Sequence, residues 1–353
     1  MSNMSRAASE PTNVCVIGAG AWGTTLARMV ALAGHSTTLV ARTHKHAESI
    51  TRARENQSYL PGVTLPPVLA VTADLPGAVV EAAIVLIVVP SREVRSVATA
   101  LGPLLNGDHI LVSCAKGLEV ETLRRLSDVI VDAASIRTDR VCALSGPNLS
   151  GEIAAGMPAS AVVASASQEA ASAVQATLSN GSFRVYTGTD VVGVEYGGAL
   201  KNVVAIGAGV ADGLGLGQNA KAAFITRGLA EITRLGVAAG AHPLTFSGLS
   251  GLGDLIATCQ SPLSRNRSFG ERLGRGMTVR EATESEHHVI EGIATARAAV
   301  ALSERFGVEA PIASVVTRVI DGELTVHAAI EALLSRARRP ELDGAPSAIP
   351  GSG

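Results

Sequence analysis

Three glycines near the start of the chain, in Gly18-Ala19-Gly20-Ala21-Trp22-Gly23, constrain its fold more than any other feature. They follow the apolar run 14–17 directly and open a helical segment, 21–34, that ends at a glycine. Glycines at this spacing between a strand and a helix serve three needs: a tight turn, close backbone approach to a pyrophosphate, and close packing of helix on strand. The helix start adds unpaired N–H groups and the positive end of the helix dipole. The turn is therefore expected to bind a dinucleotide through Gly18, Gly20, Ala21, Trp22 and Gly23. The bland alternative is a tight turn without a ligand.

The βαβ rhythm continues from there. Strands are expected at 37–41, 83–89, 109–113, 141–144, 159–164 and 183–186, with helical segments between most of them. Residues 83–89 are almost purely aliphatic, which suits a central parallel strand buried on both faces. After about residue 188 the rhythm changes. Long Ala- and Gly-rich helices are expected at 191–213 and 217–239. Shorter ones follow at 249–259, 264–274, 279–284, 290–306, 312–320 and 326–335. The fold class is α/β: an N-terminal Rossmann-type doubly wound sheet over 13–189, then an all-helical domain over 190–338. Residues 1–12 read as a disordered leader and 339–353 as a flexible tail.

Composition narrows the function classes. The formal net charge of −2 leaves no bulk positive field to draw the protein to nucleic acid or anionic lipid. The longest clean apolar run, 82–89, is far shorter than the roughly 20 residues of a membrane span. The N-terminus lacks the apolar stretch of a secretory signal, so a cytoplasmic location is expected. Cys15, Cys114, Cys142 and Cys259 show no metal-type spacing and read as small buried hydrophobes; no metal site is expected.

The second strand ends at Ala41-Arg42, where a carboxylate would serve the ribose hydroxyls of NAD. Arg42, with His44, Lys45 and His46 behind it, can instead pair with a 2′-phosphate or stack on adenine. NADP(H) is favoured and NAD(H) stays possible. Solvated charges at a helix start are the alternative.

Of 29 basic residues only Lys45, Lys116, Lys201 and Lys221 are lysine. Where arginine is so preferred, a retained lysine can mark a need for an amine that exchanges protons. Solvation is the simple reading of Lys45 and Lys221. Lys201 is different, because it lies with Asn202 in an otherwise apolar helix. Such a pair is costly unless it faces a polar cleft, and burial there lowers the amine's pKa into a useful range. Snorkelling to water is the alternative.

Seven segments, GAGAWGT, CAKGLE, LSGPN, EYGGALKNVVAIGAG, GLSGLGDL, SPLSRNRSFG and VIEG, occur in an order that resembles the bacterial NAD(P)-dependent glycerol-3-phosphate dehydrogenases over residues 13–338. The resemblance implies reversible hydride transfer from NAD(P)H to dihydroxyacetone phosphate, giving sn-glycerol 3-phosphate for glycerophospholipid synthesis. It implies that Lys201 is the general acid, with Asn202 beside it, and that Lys116 sits near the carbonyl and the nicotinamide. Gly146 and Asn148 would contact substrate and Ser150 the cofactor. Asp254 would lie on the substrate side, although a structural cap or ion pair is equally open from the residues alone. Ser264, Arg265 and Asn266 would hold the substrate phosphate, Arg265 also nearing the cofactor, and Val289 and Glu291 would complete the cofactor wall. A homodimer is expected from the resemblance and from the abundance of twofold dimers. Asn148 departs from the pattern, which has a small hydroxyl residue there.

Two rivals are weaker. β-Hydroxyacid and 6-phosphogluconate-type dehydrogenases carry the catalytic Lys and Asn four apart, whereas Lys201 and Asn202 are adjacent. A non-catalytic nucleotide sensor of the same fold would lack the lysine or the phosphate-binding arginine, and both are present.

Overall fold

The computed structural model describes residues 11–285, 289–338 and 340–341. Most of the expected leader and tail lie outside the described residues. Eight strands form one sheet: β1 (Asn13–Ile17), β2 (Ser36–Val40), β3 (Ala70–Thr72), β4 (Ile84–Ile87), β5 (Ile110–Ser113), β6 (Val141–Ser145), β7 (Ala159–Ser165) and β8 (Phe183–Gly188), in the order β8-β7-β6-β5-β4-β1-β2-β3. The chain leaves β1 in both directions, so the switch point lies between β1 and β4. Ligands of open α/β sheets bind in the crevice at that point, outside the carboxyl ends of the strands. Ile17 at the end of β1 sits opposite Val40 on one side and Ile87 on the other. Every residue of β4 is buried, as its aliphatic sequence predicts.

The sheet is not uniformly parallel. β6 and β7 pair antiparallel, because residues 146–158 turn back along the carboxyl edge through a short helix, α2 (Ser150–Ala154). Helix α1 (Ala21–Leu32) follows β1 across the glycine turn. The sequence pattern missed β3 and two short hairpins, Glu55–Asn56 with Leu60–Thr64 and Leu118–Glu119 with Arg124–Arg125. Runs of two to five residues are too short to show a period.

From residue 191 onward the regular elements among the described residues are all helices. Helix α3 (Val191–Gly213) runs through the centre of this half, packed by α4 (Gly217–Ala238), α5 (Asp254–Gln260), α6 (Arg265–Gly274), α7 (Glu291–Phe306) and α8 (Pro311–Ile320). Glycine lets α3 and α6 touch backbone to backbone. A Cβ on Gly209 would stand 1.9 Å from the Arg267 carbonyl oxygen, and one on Gly270 1.9 Å from that of Ile206. The helix expected over 249–259 is split: Leu249–Gly253 winds as a π-turn before α5 begins. A Cβ at Gly251 would meet the Phe246 carbonyl at 2.1 Å, and one at Gly197 on α3 would meet that of Ser250 at 2.8 Å. The small residues thus press the π-turn onto α3 and aim α5 at it.

One apolar core fills each face of the sheet and a third fills the helical half. Leu118, from the sheet half, belongs to the third. All four cysteines are buried thiols.

Candidate active site

The glycine turn shows which glycine serves packing and which leaves room. A Cβ on Gly18, whose φ is +112°, would stand 2.4 Å from the Val88 carbonyl oxygen, and one on Gly23 1.9 Å from that of Gly18. Gly20 has no atom within 4 Å of such a Cβ. Helix α1 starts there with no side-chain cap and no acid in its first turn. Open space, free N–H groups and no competing carboxylate fit a dinucleotide pyrophosphate. Trp22 packs on Phe183 with its ring nitrogen buried and without a partner among the described residues.

Asn56 locks this turn from behind. Its buried amide donates to the Ala19 carbonyl at 2.9 Å and to Thr24 Oγ1 at 2.8 Å, and its oxygen lies 3.3 Å from His46 Nε2. Arg42, His44 and Lys45 are exposed just beyond β2, and Thr43 caps the helix His44–Ala53. Arg42 makes no hydrogen bond or ion pair among the described residues. On the other side of α1, Thr25 donates to the Ser150 carbonyl at 3.2 Å, which seats Ser150 beside the glycine turn.

The chemical centre lies where the two halves meet. Lys201 on α3 and Lys116, just past β5, grip opposite oxygens of Asp254 at the start of α5: Lys201 Nζ to Oδ1 at 2.5 Å, Lys116 Nζ to Oδ2 at 2.6 Å. Lys116 also donates to the Gly146 carbonyl at 2.8 Å, and Lys201 to Thr258 Oγ1 at 2.5 Å. Thr258 stands one turn after Asp254 on the same face of α5. Burial pushes the Lys201 ammonium down to about 7, against the pull of Asp254, and the charge of Lys116 adds to the push. An amine so placed can hold or release a proton near neutrality. Asp254 thus forms an ion pair shared by two lysines.

Close approach makes this geometry possible. Gly146, at φ +140°, leaves no room for a Cβ against Ala161, whose Cα would be 2.9 Å away. Gly198 on α3 faces Ser145 Oγ, which would lie 2.5 Å from a Cβ. Asn148, in the same loop, has both side-chain polar atoms buried and unpartnered among the described residues. Buried amides are normally satisfied, so Asn148 is a candidate for a ligand or a water.

At the start of α6, Arg265 is exposed and donates to the Val289 carbonyl at 2.8 Å. Asn266 is buried, donating to Asn202 Oδ1 at 2.9 Å and accepting from the Gly292 N–H at 3.0 Å. Ser264 Oγ caps α6 by accepting from the Arg267 N–H. Arg267 in turn pairs with Asp212 at 2.8 Å and donates to the Ser261 carbonyl at 2.9 Å, which fixes the turn before α6. Lys221 completes that pair as a buried partner of Asp212 at 2.7 Å, contrary to its reading as solvated. Glu291 accepts from Ser91 Oγ at 2.7 Å and from the Ser91 N–H at 3.3 Å, across the mouth between the halves.

Many residues singled out in the sequence fall into bonded groups where the carboxyl edge of the sheet meets the helical half. Lys116, Gly146, Lys201 and Asp254 form one connected group; Asn202 and Asn266 form a second; Arg265 with Val289 and Glu291 with Ser91 form two more. Arg42 belongs to none of these groups and stands exposed just beyond β2. Thr258, Ser91 and Asn56 were not singled out. Thr258, four residues after Asp254, had the one usable signal.

Two family models match the chain: the NAD-dependent glycerol-3-phosphate dehydrogenase N-terminus over residues 13–171 and the corresponding C-terminus over 190–331. The glycerol-3-phosphate dehydrogenase [NAD(P)+] of Streptomyces avermitilis is 46% identical over 333 residues, covering 94% of this chain and 99% of that protein. The Mycobacterium tuberculosis protein named glycerol-3-phosphate dehydrogenase [NAD(P)+] 2 is 48% identical over 330 residues, covering 94% and 98%. Among solved structures, glycerol-3-phosphate dehydrogenase from Coxiella burnetii superposes with a TM-score of 0.87 at 35% identity, covering 92% of this chain and 99% of that one.

Proposed function

Because this chain belongs to the NAD-dependent glycerol-3-phosphate dehydrogenase family, we propose that it interconverts dihydroxyacetone phosphate and sn-glycerol 3-phosphate with NAD(P)(H). The observation that carries the reading is Asp254 held between Lys116 and Lys201, in a chain whose glycine turn leaves open space at Gly20.

When bound, the nicotinamide supplies or accepts the hydride at C2 of the substrate. Lys201 Nζ gives its proton to the oxygen that gains charge, and the amine left behind is the form that burial favours. In the reverse direction the neutral amine takes the hydroxyl proton. Lys116 stands beside the same oxygen and stabilises its developing charge. Asp254 holds both amines in place, and Thr258 directs the Lys201 lone pair or proton. Gly146 and Asn148 contact the substrate, and Asn202, Ser264 and Asn266 shape the phosphate end with Arg265 as its charge. Since Ser264 and Asn266 already have internal partners, they contribute shape more than free side chains. Ser150, Val289 and Glu291 wall the cofactor.

Arg42 favours NADP(H), since an exposed guanidinium without a partner suits a 2′-phosphate. We also infer a homodimer, a cytoplasmic location, and a boundary between nucleotide-binding and catalytic units at residues 189 and 190. Among the described residues no helix is long and apolar enough to cross a membrane. The direct test is NADPH absorbance with dihydroxyacetone phosphate and with unphosphorylated dihydroxyacetone. Oxidation of NADPH with the first and little with the second supports the reading; no turnover with either cofactor removes it.

A further inference from the structure

We propose that Glu195 is a positioning residue, whose buried carboxylate latches the hairpin carrying Lys116 onto the helix carrying Lys201 and so fixes the separation of the two amines. This rests on the reaction proposed above. Glu195 and Lys201 share α3, six residues or about 9 Å apart along its axis. Glu195 Oε1 accepts the Ser127 N–H at 2.8 Å; Oε2 accepts Arg125 Nη1 at 3.2 Å and the Ser127 hydroxyl. All of these donors come from the sheet half.

The hairpin Leu118–Glu119 with Arg124–Arg125 connects that latch to the chemistry. Leu118 is paired with Arg125, so the strand that follows Lys116 lies directly beside the residue that Glu195 holds. Leu118 is itself 2% exposed and packs in the core that includes Tyr196 and Leu200 of α3. Arg95 then fixes Glu119 through two bonds, at 2.6 and 2.9 Å. Between Lys116 and Leu118 stands Gly117 at φ +155°, and a Cβ there would be 2.8 Å from Ser91 Cβ. The lysine is therefore not on a loose tether. Both strands of its hairpin are seated on α3, one by apolar burial and one by Glu195.

A buried carboxylate is an expensive way to join two elements unless its lone pairs are satisfied. Burial raises the pKa of Glu195, while Arg125 and the two Ser127 donors oppose that and Asp128 adds to it. Tyr196, with Arg305 near it, is the other titratable neighbour. What the latch sets is the spacing seen by Lys201, which faces Asp254, Lys116 and Cys259. If the hairpin recedes, Lys201 loses the repulsion of Lys116 and keeps more of Asp254. Both changes favour its charged form.

The test uses the full chain as wild type, Glu195→Gln, Arg125→Gln and the double variant, with dihydroxyacetone phosphate and NADPH. The latch predicts kcat lower by about 10-fold to 10²-fold in each single variant, the scale for misplacing a catalytic group slightly. KM for NADPH should stay within about twofold, since uniform binding of the cofactor is untouched. The alkaline limb of kcat/KM should move up by about 0.5 pH unit or more. The double variant should be no worse than the worse single, as expected of one shared contact. Lowered melting temperature with unchanged kcat and pH profile would make Glu195 purely structural and overturn the proposal. If Glu195→Gln does not fold, Arg125→Gln alone decides between the same outcomes. Absence of turnover in the wild type would instead remove the proposed reaction, not the latch.

Discussion

Asp254 Oδ1 lies 2.5 Å from Lys201 Nζ with the two side chains only 2% and 6% exposed, so the amine's proton is controlled by a carboxylate that water barely reaches. Removing that carboxylate leaves two ammonium groups facing each other across the cleft. Asp254→Asn should therefore lower the pKa of Lys201 further, because its main opposing influence is gone. The optimum for ketone reduction should move to lower pH, and kcat/KM at neutral pH should fall by about 10²-fold or more, the range of a general acid placed in the wrong protonation state. An unmoved optimum in pH-resolved initial rates would detach Asp254 from Lys201.

The sign of the wild-type pH dependence follows from the same group. Ketone reduction needs protonated Lys201, so its kcat/KM should fall as pH rises through about 7. Alcohol oxidation needs the neutral amine and should rise over that window. Lys201→Arg keeps the charge but cannot release a proton near neutrality; it should lose about 10²-fold or more in kcat while still binding both ligands. Near-normal turnover in that variant would take Lys201 out of the mechanism.

Local chemistry decides what a sequence displays. The glycine turn was legible because backbone geometry demands glycine at fixed spacing, and Gly18 and Gly23 do meet carbonyl oxygens that exclude a Cβ. Lys201-Asn202 stood out because a charged and a polar residue in an apolar helix need a reason. Asp254 stayed open between the substrate side and a structural cap or ion pair, since its two lysines lie 53 and 138 positions away. Asn56 and Ser91 gave no sign at all: their partners, Ala19 and Glu291, are assembled only by the fold. Ser264 and Asn266 kept their place at the start of α6 but turned out to have internal partners, a matter of rotamer that residue type alone does not fix.

Cofactor discrimination should separate Arg42 from Asn56. Arg42→Asp should weaken NADPH by about 1–3 kcal/mol, the scale of a lost charge-assisted contact plus repulsion, and NADH much less. Asn56→Ala removes the donor behind the glycine turn and orphans the buried Ala19 carbonyl. It should weaken both cofactors alike, by about 1–3 kcal/mol. Titrating quenching of the single tryptophan, Trp22, with each cofactor in the wild type and both variants measures all six affinities. Equal losses for NADPH and NADH in Arg42→Asp would mean that Arg42 serves adenine or the fold instead.

The phosphate end gives the sharpest test, because it separates a phosphorylated substrate from ordinary ketones. Dihydroxyacetone phosphate has a small reacting end and a charged remote end, so most of its available binding energy lies in the phosphate. Arg265 is exposed at the start of α6, and its Nη1 is held by the Val289 carbonyl, which leaves the other edge of the guanidinium to form paired N–H bonds. Arg267 cannot substitute, since its guanidinium is already committed to Asp212, Glu271 and Ser261. Binding energy from a remote group is used to orient the reacting carbonyl, so its loss reaches kcat as well as KM. Arg265→Ala should lower kcat/KM for dihydroxyacetone phosphate by about 10³-fold or more, near 4 kcal/mol. The slow reaction of unphosphorylated dihydroxyacetone should change far less. Measuring both substrates in both proteins closes a cycle whose coupling energy isolates the contact. Equal damage to the two substrates would show that Arg265 does not read the phosphate, and the substrate assignment would then rest on family membership alone.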